Sequence, residues 1–289
     1  MQQIYIDGEF FGREDAKISV FDHGLLYGDG VFEGIRVYGG RIFEFEAHID
    51  RLYDSAKAIE MEIPLSRKEL MEATCETVRR NGVRDGYIRL VVTRGVGDLG
   101  LSPLKCPKPT VFIIAATIQL YPDELYENGL EVLTTSTRRN HPQAINPSIK
   151  SLNYLNNILA SLELQGTGAH EGLMLTADGF VCECAADNIF LVRNGRVMTP
   201  SPAVGALRGI TRQVALRLAR ELGHETEEGL YTLYDVYTAD EVFVTGTAAE
   251  IAPVVKVDRR PIADGRPGEI TRRLIARFRE YAQAAGYPV

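Results

Sequence analysis

Residues 121–129 read YPDELYENG, a polar stretch that carries Pro122 and Gly129 and separates two strand-rich regions. Proline and glycine interrupt regular backbone, and domain boundaries favour polar segments of this kind. The stretch therefore predicts an interdomain linker, with a smaller N-terminal α+β domain at 1–120 and a larger C-terminal domain at 130–289. A chain of 289 residues has room for one large domain or two smaller ones, and the linker decides for two.

Upstream of the linker the pattern is strand and turn. IYIDGEFFG, KISVFD and VFEGIRVYGGRIFEF read as antiparallel strands, with Gly39-Gly40 as a tight hairpin turn. Ile49, Leu52, Tyr53, Ala56 and Ile59 then recur at helical spacing, and Ser66 with Glu69 forms the capping box of a second helix that ends near Asn81-Gly82. YIRLVVTRG and TVFIIAATIQL are further strands, joined by a loop containing Pro and Gly. Downstream, LEVLTTSTR opens the second domain, a helix is expected over about 152–164, and strands follow at LMLT and NIFLVRNGRVMT, the latter folded at Asn194-Gly195. Ile210, Val214, Leu218 and Leu222 make one apolar helical stripe, and Ile270, Leu274, Phe278 and Tyr281 another. Strands and helices mix without regular alternation, which favours a two-domain α+β fold over a doubly wound parallel sheet.

Composition narrows the function. Fractions of 45% hydrophobic and 25% charged residues belong to a chain that buries a core. A net charge of −7 argues against a nucleic-acid surface, which needs clustered Lys and Arg. No apolar run approaches the ~20 residues of a membrane span, and MQQIYIDGEF has neither the basic end nor the apolar core of a signal peptide. A cytoplasmic protein with no nucleic-acid or membrane partner is expected. Four cysteines, Cys75, Cys106, Cys182 and Cys184, are too few for a disulfide framework. Cys182 and Cys184 would share one face of a strand, as a metal pair does. No second Cys or His pair at ligand spacing accompanies them, so two buried small apolar side chains and no metal are expected.

Of the seven lysines, Lys150 stands apart. It lies in NPSIKSLNYLNNILA, before an apolar helix and among Ser148, Ser151 and Asn153, where partial desolvation would supply the neutral amine that Schiff-base chemistry needs. Taken alone, the segment is explained better by a lysine snorkelling at a helix start. LRGITR offers backbone donors at a helix start, with Gly209 permitting close approach and Ile210 and Thr211 beginning the helix, as phosphate binding requires. TGTAAE, residues 245–250, adds a second group of small residues with free amides. Arg51, in HIDRL, is a fixed positive charge suited to phosphate, or else a surface arginine. Glu183, in FVCECAADNIF, is a carboxylate among apolar neighbours that needs a cationic partner if buried; an edge-strand glutamate in water is the alternative.

The order of these pieces says more than any one of them: the HxxRL helix, YIR, the lysine in IKSLNYLNN, Glu183 followed five residues later by Asn188 in NIF, GITR and GTAAE. From about Ile4 to Tyr281 the series resembles the branched-chain and D-amino-acid aminotransferases, the fold-type IV enzymes that use pyridoxal 5'-phosphate. The resemblance implies the two-domain α+β fold of that group, with the cofactor at the domain interface and bound chiefly by the C-terminal domain. It implies that Lys150 holds the cofactor covalently and moves a proton between the substrate α-carbon and cofactor C4'. By the same match Glu183 pairs with the pyridine nitrogen, Tyr154 bonds the phenolic oxygen, and Leu207 packs on the ring. Arg51, Gly209, Ile210, Thr211 and Thr247 would hold the phosphate. The spacing from lysine to tyrosine is one residue shorter here than in the enteric bacterial enzyme.

For substrate, YGDGVFEGIRVY and Tyr87-Ile88-Arg89 look like the branched-chain form. The D-amino-acid enzymes tend to have VYE and a basic trap after the TRG turn, whereas this chain has GVGDLGL at 95–101. The resemblance thus implies transamination of leucine, isoleucine and valine with 2-oxoglutarate. Tyr27, Phe32 and, from a second subunit, Leu101 would enclose the branched side chain. Arg89 would meet the distal carboxylate of glutamate, and the Thr247 and Ala248 amides the α-carboxylate. A homodimer follows from the loop donated in trans. Competing readings are a D-amino-acid aminotransferase, an aminodeoxychorismate lyase, and a non-catalytic protein that kept the fold. One departure is plain: where the family often has Gly, Ser or Thr, Gly, Glu, Asn, this chain has Cys184, Ala185, Ala186, Asp187, Asn188, side chains that would narrow the pocket.

Overall fold

The computed structural model describes residues 2–117 and 121–289. The chain divides into two compact units, one of Met1–Ile118, Ile149–Asn153 and Ala282–Val289, the other of Gln119–Ser148 and Tyr154–Tyr281. The last three residues of the expected strand TVFIIAATIQL lie outside the described residues. Residues 121–129, expected as a linker, hold the helix α4 (Asp123–Asn128), and Tyr121, Leu125 and Tyr126 pack into the core of the second unit. Acidic residues in the first turn and Gly129 at the end are helix signals in their own right.

The first unit is a seven-stranded sheet. Its strands are β1 (Gln3–Ile6), β2 (Glu9–Gly12), β3 (Gly30–Tyr38), β4 (Arg41–Ile42), β5 (Gly86–Thr93), β6 (Thr110–Ala116) and a closing strand, Tyr287–Pro288. The closing strand pairs with β4, and the order runs on through β3, β5, β6, β1 and β2, every pair antiparallel. Two helices, α2 (Phe45–Ala58) and α3 (Arg67–Arg80), bury Phe45, Ile49, Leu52, Leu70 and Val78 in one core with Val31, Ile35, Ile88, Leu90, Val92 and Ile113 of the sheet. The capping box forms as its residues predict, with Ser66 N–H donating to Glu69 Oε2 at 2.8 Å and Glu69 N–H to Ser66 Oγ at 3.3 Å.

KISVFD is not a strand. Its apolar residues find no sheet edge, leaving Val20 69% and Phe21 47% exposed, and Asp22 instead caps the short helix α1 (His23–Tyr27) through a bond from Gly24 N–H. Because β4 is only two residues long and pairs with Val37 and Tyr38, the first half of β3 has an unoccupied edge. Residues Ile149–Leu152 occupy it: Phe32 N–H donates to Lys150 O at 3.0 Å and Leu152 N–H to Gly30 O at 2.9 Å. That pairing is why the helix expected from 152 begins only at Leu155.

The second unit is a nine-stranded mixed sheet. Its strands are β7 (Leu130–Thr134), β8 (Glu171–Leu175), β9 (Val181–Cys184), β10 (Asn188–Arg193), β11 (Arg196–Pro200), β12 (Thr226–Gly229), β13 (Glu241–Gly246) and β14 (Glu250–Val257), in the order β12-β11-β10-β13-β14-β7-β8-β9, with Arg260–Pro261 beside β14. Four more helices accompany them: α5 (Leu155–Leu162), α6 (Ile210–Glu221), α7 (Leu233–Tyr237) and α8 (Glu269–Ala284). Asn194 and Gly195 take the paired positive φ values, 50° and 76°, of a type I' hairpin between β10 and β11. One face of the sheet buries Val132, Leu173, Ile189, Val242 and Val244. On the other, Phe190 and Phe243 stack at 4.7 Å, and α6 packs against β13 and β14. Among the described residues no helix is long and apolar enough to cross a membrane.

Candidate active site

In the first unit, the two-residue period of β3 sorts the segment FEGIR. Val31, Ile35 and Val37 face the helices, and Glu33 falls on that same buried side. A carboxylate there needs a cation and hydrogen-bond donors, and α2 supplies them one turn apart. Arg51 Nε and Nη2 donate to Glu33 Oε1 and Oε2, both at 2.7 Å, and His48 Nδ1 sits 2.7 Å from Oε2. Burial would raise the Glu33 carboxyl, but Arg51 and His48 outweigh it and hold it down at about 2. Burial lowers His48, so its contact with Glu33 is that of a neutral imidazole donating from Nδ1. Arg51 is thus a rigid cation, its side chain 11% exposed.

The opposite face of β3 carries Phe32 and Gly34. Lys150 Nζ lies 4.6 Å from the centre of the Phe32 ring, and the Arg89 guanidinium 4.7 Å from it, so one aromatic ring meets two cations. A Cβ at Gly34 would come within 1.8 Å of the Tyr87 hydroxyl; only glycine lets Tyr87 cross the strand and accept from Arg89 Nη2 at 3.3 Å. Lys150 is itself held through its backbone, with its N–H donating to Ser55 Oγ at 3.2 Å. Tyr27 donates to Leu99 O at 2.6 Å, on the loop where Leu101 stands 79% exposed.

In the second unit, the strand carrying Glu183 is irregular. Leu175 pairs with Val181, but Met174 pairs with Glu183, so Cys182 is the extra residue of a β-bulge. Regular alternation would put Val181 and Glu183 on the same face. With the bulge, Val181 and Cys184 both join the apolar core, and Glu183 is turned away from it. The expected shared face for Cys182 and Cys184 is therefore not formed: the Cys182 thiol donates to Val204 O at 3.7 Å, and Cys184 lies in the core. Among the described residues no group of three His, Cys, Asp or Glu could hold a metal.

Glu183, 4% exposed, accepts from three donors: Arg139 Nε at 2.7 Å on Oε1, and Asn188 Nδ2 at 3.0 Å and Leu207 N at 2.8 Å on Oε2. Asn188 Nδ2 also donates to Leu207 O at 3.0 Å. Gly209 fits against this arrangement, since a Cβ there would lie 2.0 Å from Asn188 Oδ1. The glycine thus makes room for the asparagine that orients Glu183, a role distinct from the approach of a phosphate. It also stands before α6, whose first turn, Ile210 and Thr211, is buried and has no side-chain cap. Its amides are the donors an anion would use. Thr247, Ala248 and Ala249 form the three-residue turn between β13 and β14, and Tyr154 precedes α5.

Sequence reasoning overlooked Glu33, His48 and Arg139. Glu33 was detectable, as a charge at the helix-facing position between Val31 and Ile35. Arg139 gave no signal, because it meets Glu183 from 44 residues away in a segment without periodicity. A second overlooked group is Glu171 and Asp187, each 5% exposed. Glu171 Oε1 accepts from the Gly172 and Ala185 amides at 2.8 and 3.1 Å, and the Tyr121 hydroxyl donates to Asp187 at 3.3 Å. Burial and mutual repulsion push Glu171 up to about 8; burial pushes Asp187 up to about 7 against the Tyr121 bond.

The sequence profile of the amino-transferase class IV family matches residues 30–257. A protein of Methanocaldococcus jannaschii is 52% identical over 287 residues, covering 99% of both chains. The branched-chain-amino-acid aminotransferase of Pseudomonas aeruginosa is 42% identical over 277 residues, 94% of this chain and 90% of that one. Among solved structures, the T.th. branched-chain amino acid aminotransferase complexed with N-(5'-phosphopyridoxyl)-L-glutamate superposes with a TM-score of 0.93 at 39% identity, over 98% of this chain and 94% of the other.

Proposed function

Because the chain belongs to the class IV aminotransferase family, we propose that it transfers the amino group of branched-chain L-amino acids to 2-oxoglutarate with pyridoxal 5'-phosphate as cofactor. The observation that carries this reading is the acceptor arrangement of Glu183. An ionised carboxylate offers about four lone-pair sites, and three are taken by donors that are Arg139, Asn188 and a backbone amide. The fourth suits one further N–H donor, and a protonated pyridine nitrogen is such a donor. The cofactor's other needs are matched by residues of the right type. Arg51 is a preset cation that would suit the phosphate, and so would the amides of Ile210 and Thr211 after Gly209 and the turn at Thr247. Tyr154 serves the phenolic oxygen and Leu207 the ring face.

When bound, pyridoxal phosphate supplies an electron sink that acidifies the α-carbon of an attached amino acid. Lys150 would hold it and would serve as the acid and base that moves a proton at the substrate α-carbon. Phe32, Tyr27 and Leu101 of the partner subunit exclude water from the branched side chain, the Thr247 and Ala248 amides hold the α-carboxylate, and Arg89 receives the second carboxylate of glutamate. The protein works as a cytoplasmic homodimer. Support for the dimer comes from α5, where Leu155, Ile158, Leu159 and Leu162 of an eight-residue helix are 46–66% exposed, an apolar face that a second copy would cover.

A half-reaction absorbance assay of the holoenzyme against L-leucine, L-glutamate, D-alanine and an aromatic amine tests the substrate class, and borohydride trapping tests the lysine. L-leucine and L-glutamate are expected to react and the trapped adduct to map to Lys150; reaction with D-alanine alone overturns the reading. Arg89→Ala is expected to impair the glutamate half-reaction about tenfold or more beyond the leucine one, and equal losses remove Arg89 from its role.

A further inference from the structure

We propose that Arg139 is a positioning residue for this reaction: it fixes the Glu183 carboxylate so that the one acceptor site left on it is presented to the cofactor's ring nitrogen. The inference rests on the function proposed above and deepens it. Among the described residues Glu183 has three donors: the Leu207 amide and Asn188 both bond Oε2, and Arg139 alone bonds Oε1. Two donors on a single oxygen leave the carboxylate plane free to swing about that oxygen; a donor on the other oxygen stops the swing.

Arg139 can do this because it is itself immobilised. Its backbone N–H donates to Leu175 O at 2.9 Å, and its side chain is 7% exposed. Nη1 is shared between Asn156 Oδ1 at 3.3 Å and Asn157 Oδ1 at 3.2 Å. Each asparagine is then tied back, Asn156 Nδ2 to Arg138 O at 2.8 Å and Asn157 Nδ2 to Ala185 O at 2.7 Å. The bulge at Cys182 turns Glu183 out of the core, and the chain of bonds from α5 through Arg139 sets its final rotation. A fixed, buried guanidinium with two asparagines assigned to it is more than neutralising Glu183 requires.

The test uses holoenzyme prepared with ¹⁵N-labelled cofactor. Arg139→Met removes every donor at similar length, Arg139→Gln keeps a neutral donor, and Arg139→Lys keeps the charge. In Arg139→Met the ring-nitrogen resonance is expected to move toward its unprotonated position and kcat for L-leucine to fall about tenfold to a hundredfold, the scale of a misplaced catalytic contact, with KM changed less than threefold. Arg139→Lys is expected to recover part of both. A cofactor resonance and kcat equal to those of the native protein in Arg139→Met overturn the proposal, even if the variant melts at a lower temperature. Should Arg139→Met not fold, Arg139→Gln is expected to give intermediate values, and native values there overturn it equally. Failure of the function reading is separately visible, since the native chain would then carry no trapped adduct at Lys150.

Discussion

Glu33 in the first unit and the pair Glu171 and Asp187 in the second are equally buried carboxylates with opposite behaviour. Glu33 has the Arg51 guanidinium on both oxygens and the His48 imidazole on one of them, and is held at about 2. Glu171 and Asp187 have amides, a phenol and each other, and are pushed up to about 8 and about 7. Burial alone therefore does not decide the charge of an acid; what faces it does. The difference separates a group that is charged throughout the neutral range and holds a fixed cation in place from a pair whose protons leave only near and above neutrality.

The comparison breaks most visibly at Glu33. Glu33→Gln leaves Arg51 buried without its counter-charge, and about 3–5 kcal/mol of unfolding free energy is expected to be lost, read as a lower denaturation midpoint. A loss under 1 kcal/mol would mean that Arg51 finds another partner and the cluster is not the anchor described. The next largest effect is in pH. Glu33 is lowered from 4.5, so its contribution is present above that value and disappears as pH falls through about 2. Glu171 and Asp187 are raised from 4.5 and 3.8, so theirs is whole below those values and is lost as pH rises through about 7 and 8. Between pH 5 and 8 the native protein is expected to lose at least about 2 kcal/mol relative to the double variant Glu171→Gln, Asp187→Asn, at ~1.4 kcal/mol per pKa unit; parallel curves from urea titrations at the two pH values would show that the pair is ionised throughout. Smallest is Tyr121→Phe, which removes one hydrogen bond for about 1 kcal/mol. Because that bond opposes the rise of Asp187, the carboxyl should titrate higher still, a shift followed by ¹³C NMR of the labelled aspartate.

Local signals in the sequence were reliable wherever the structure is local. The Ser66–Glu69 capping box and the Asn194-Gly195 turn are made by residues within a few positions of one another, and the order of motifs identified the family. Reading failed where a distant partner decides. KISVFD has a strand's alternation but no edge to join, and 152–154 has helical composition but is drawn away because β4 is too short to cover β3. The candidate site divides in the same way. Lys150, Arg51 and Glu183 were singled out only through the order of motifs, their own neighbours leaving a bland reading open, whereas Glu33 and Arg139, which bond two of them, act across 18 and 44 residues and were not singled out at all.

The bulge in β9 has a consequence for how this strand can vary. Its single supernumerary position works as a phase change: everything before it keeps one parity of in and out, and everything after it the other. Replacing Cys182 by another small side chain leaves that phase intact, whereas a straightened strand in which residue 182 took a ladder position of its own would turn the acid at 183 inward and the thiol at 184 outward. The facing of the acid therefore depends on residue 182 staying out of the ladder, and a side chain at that position that favoured pairing would cost the strand its phase.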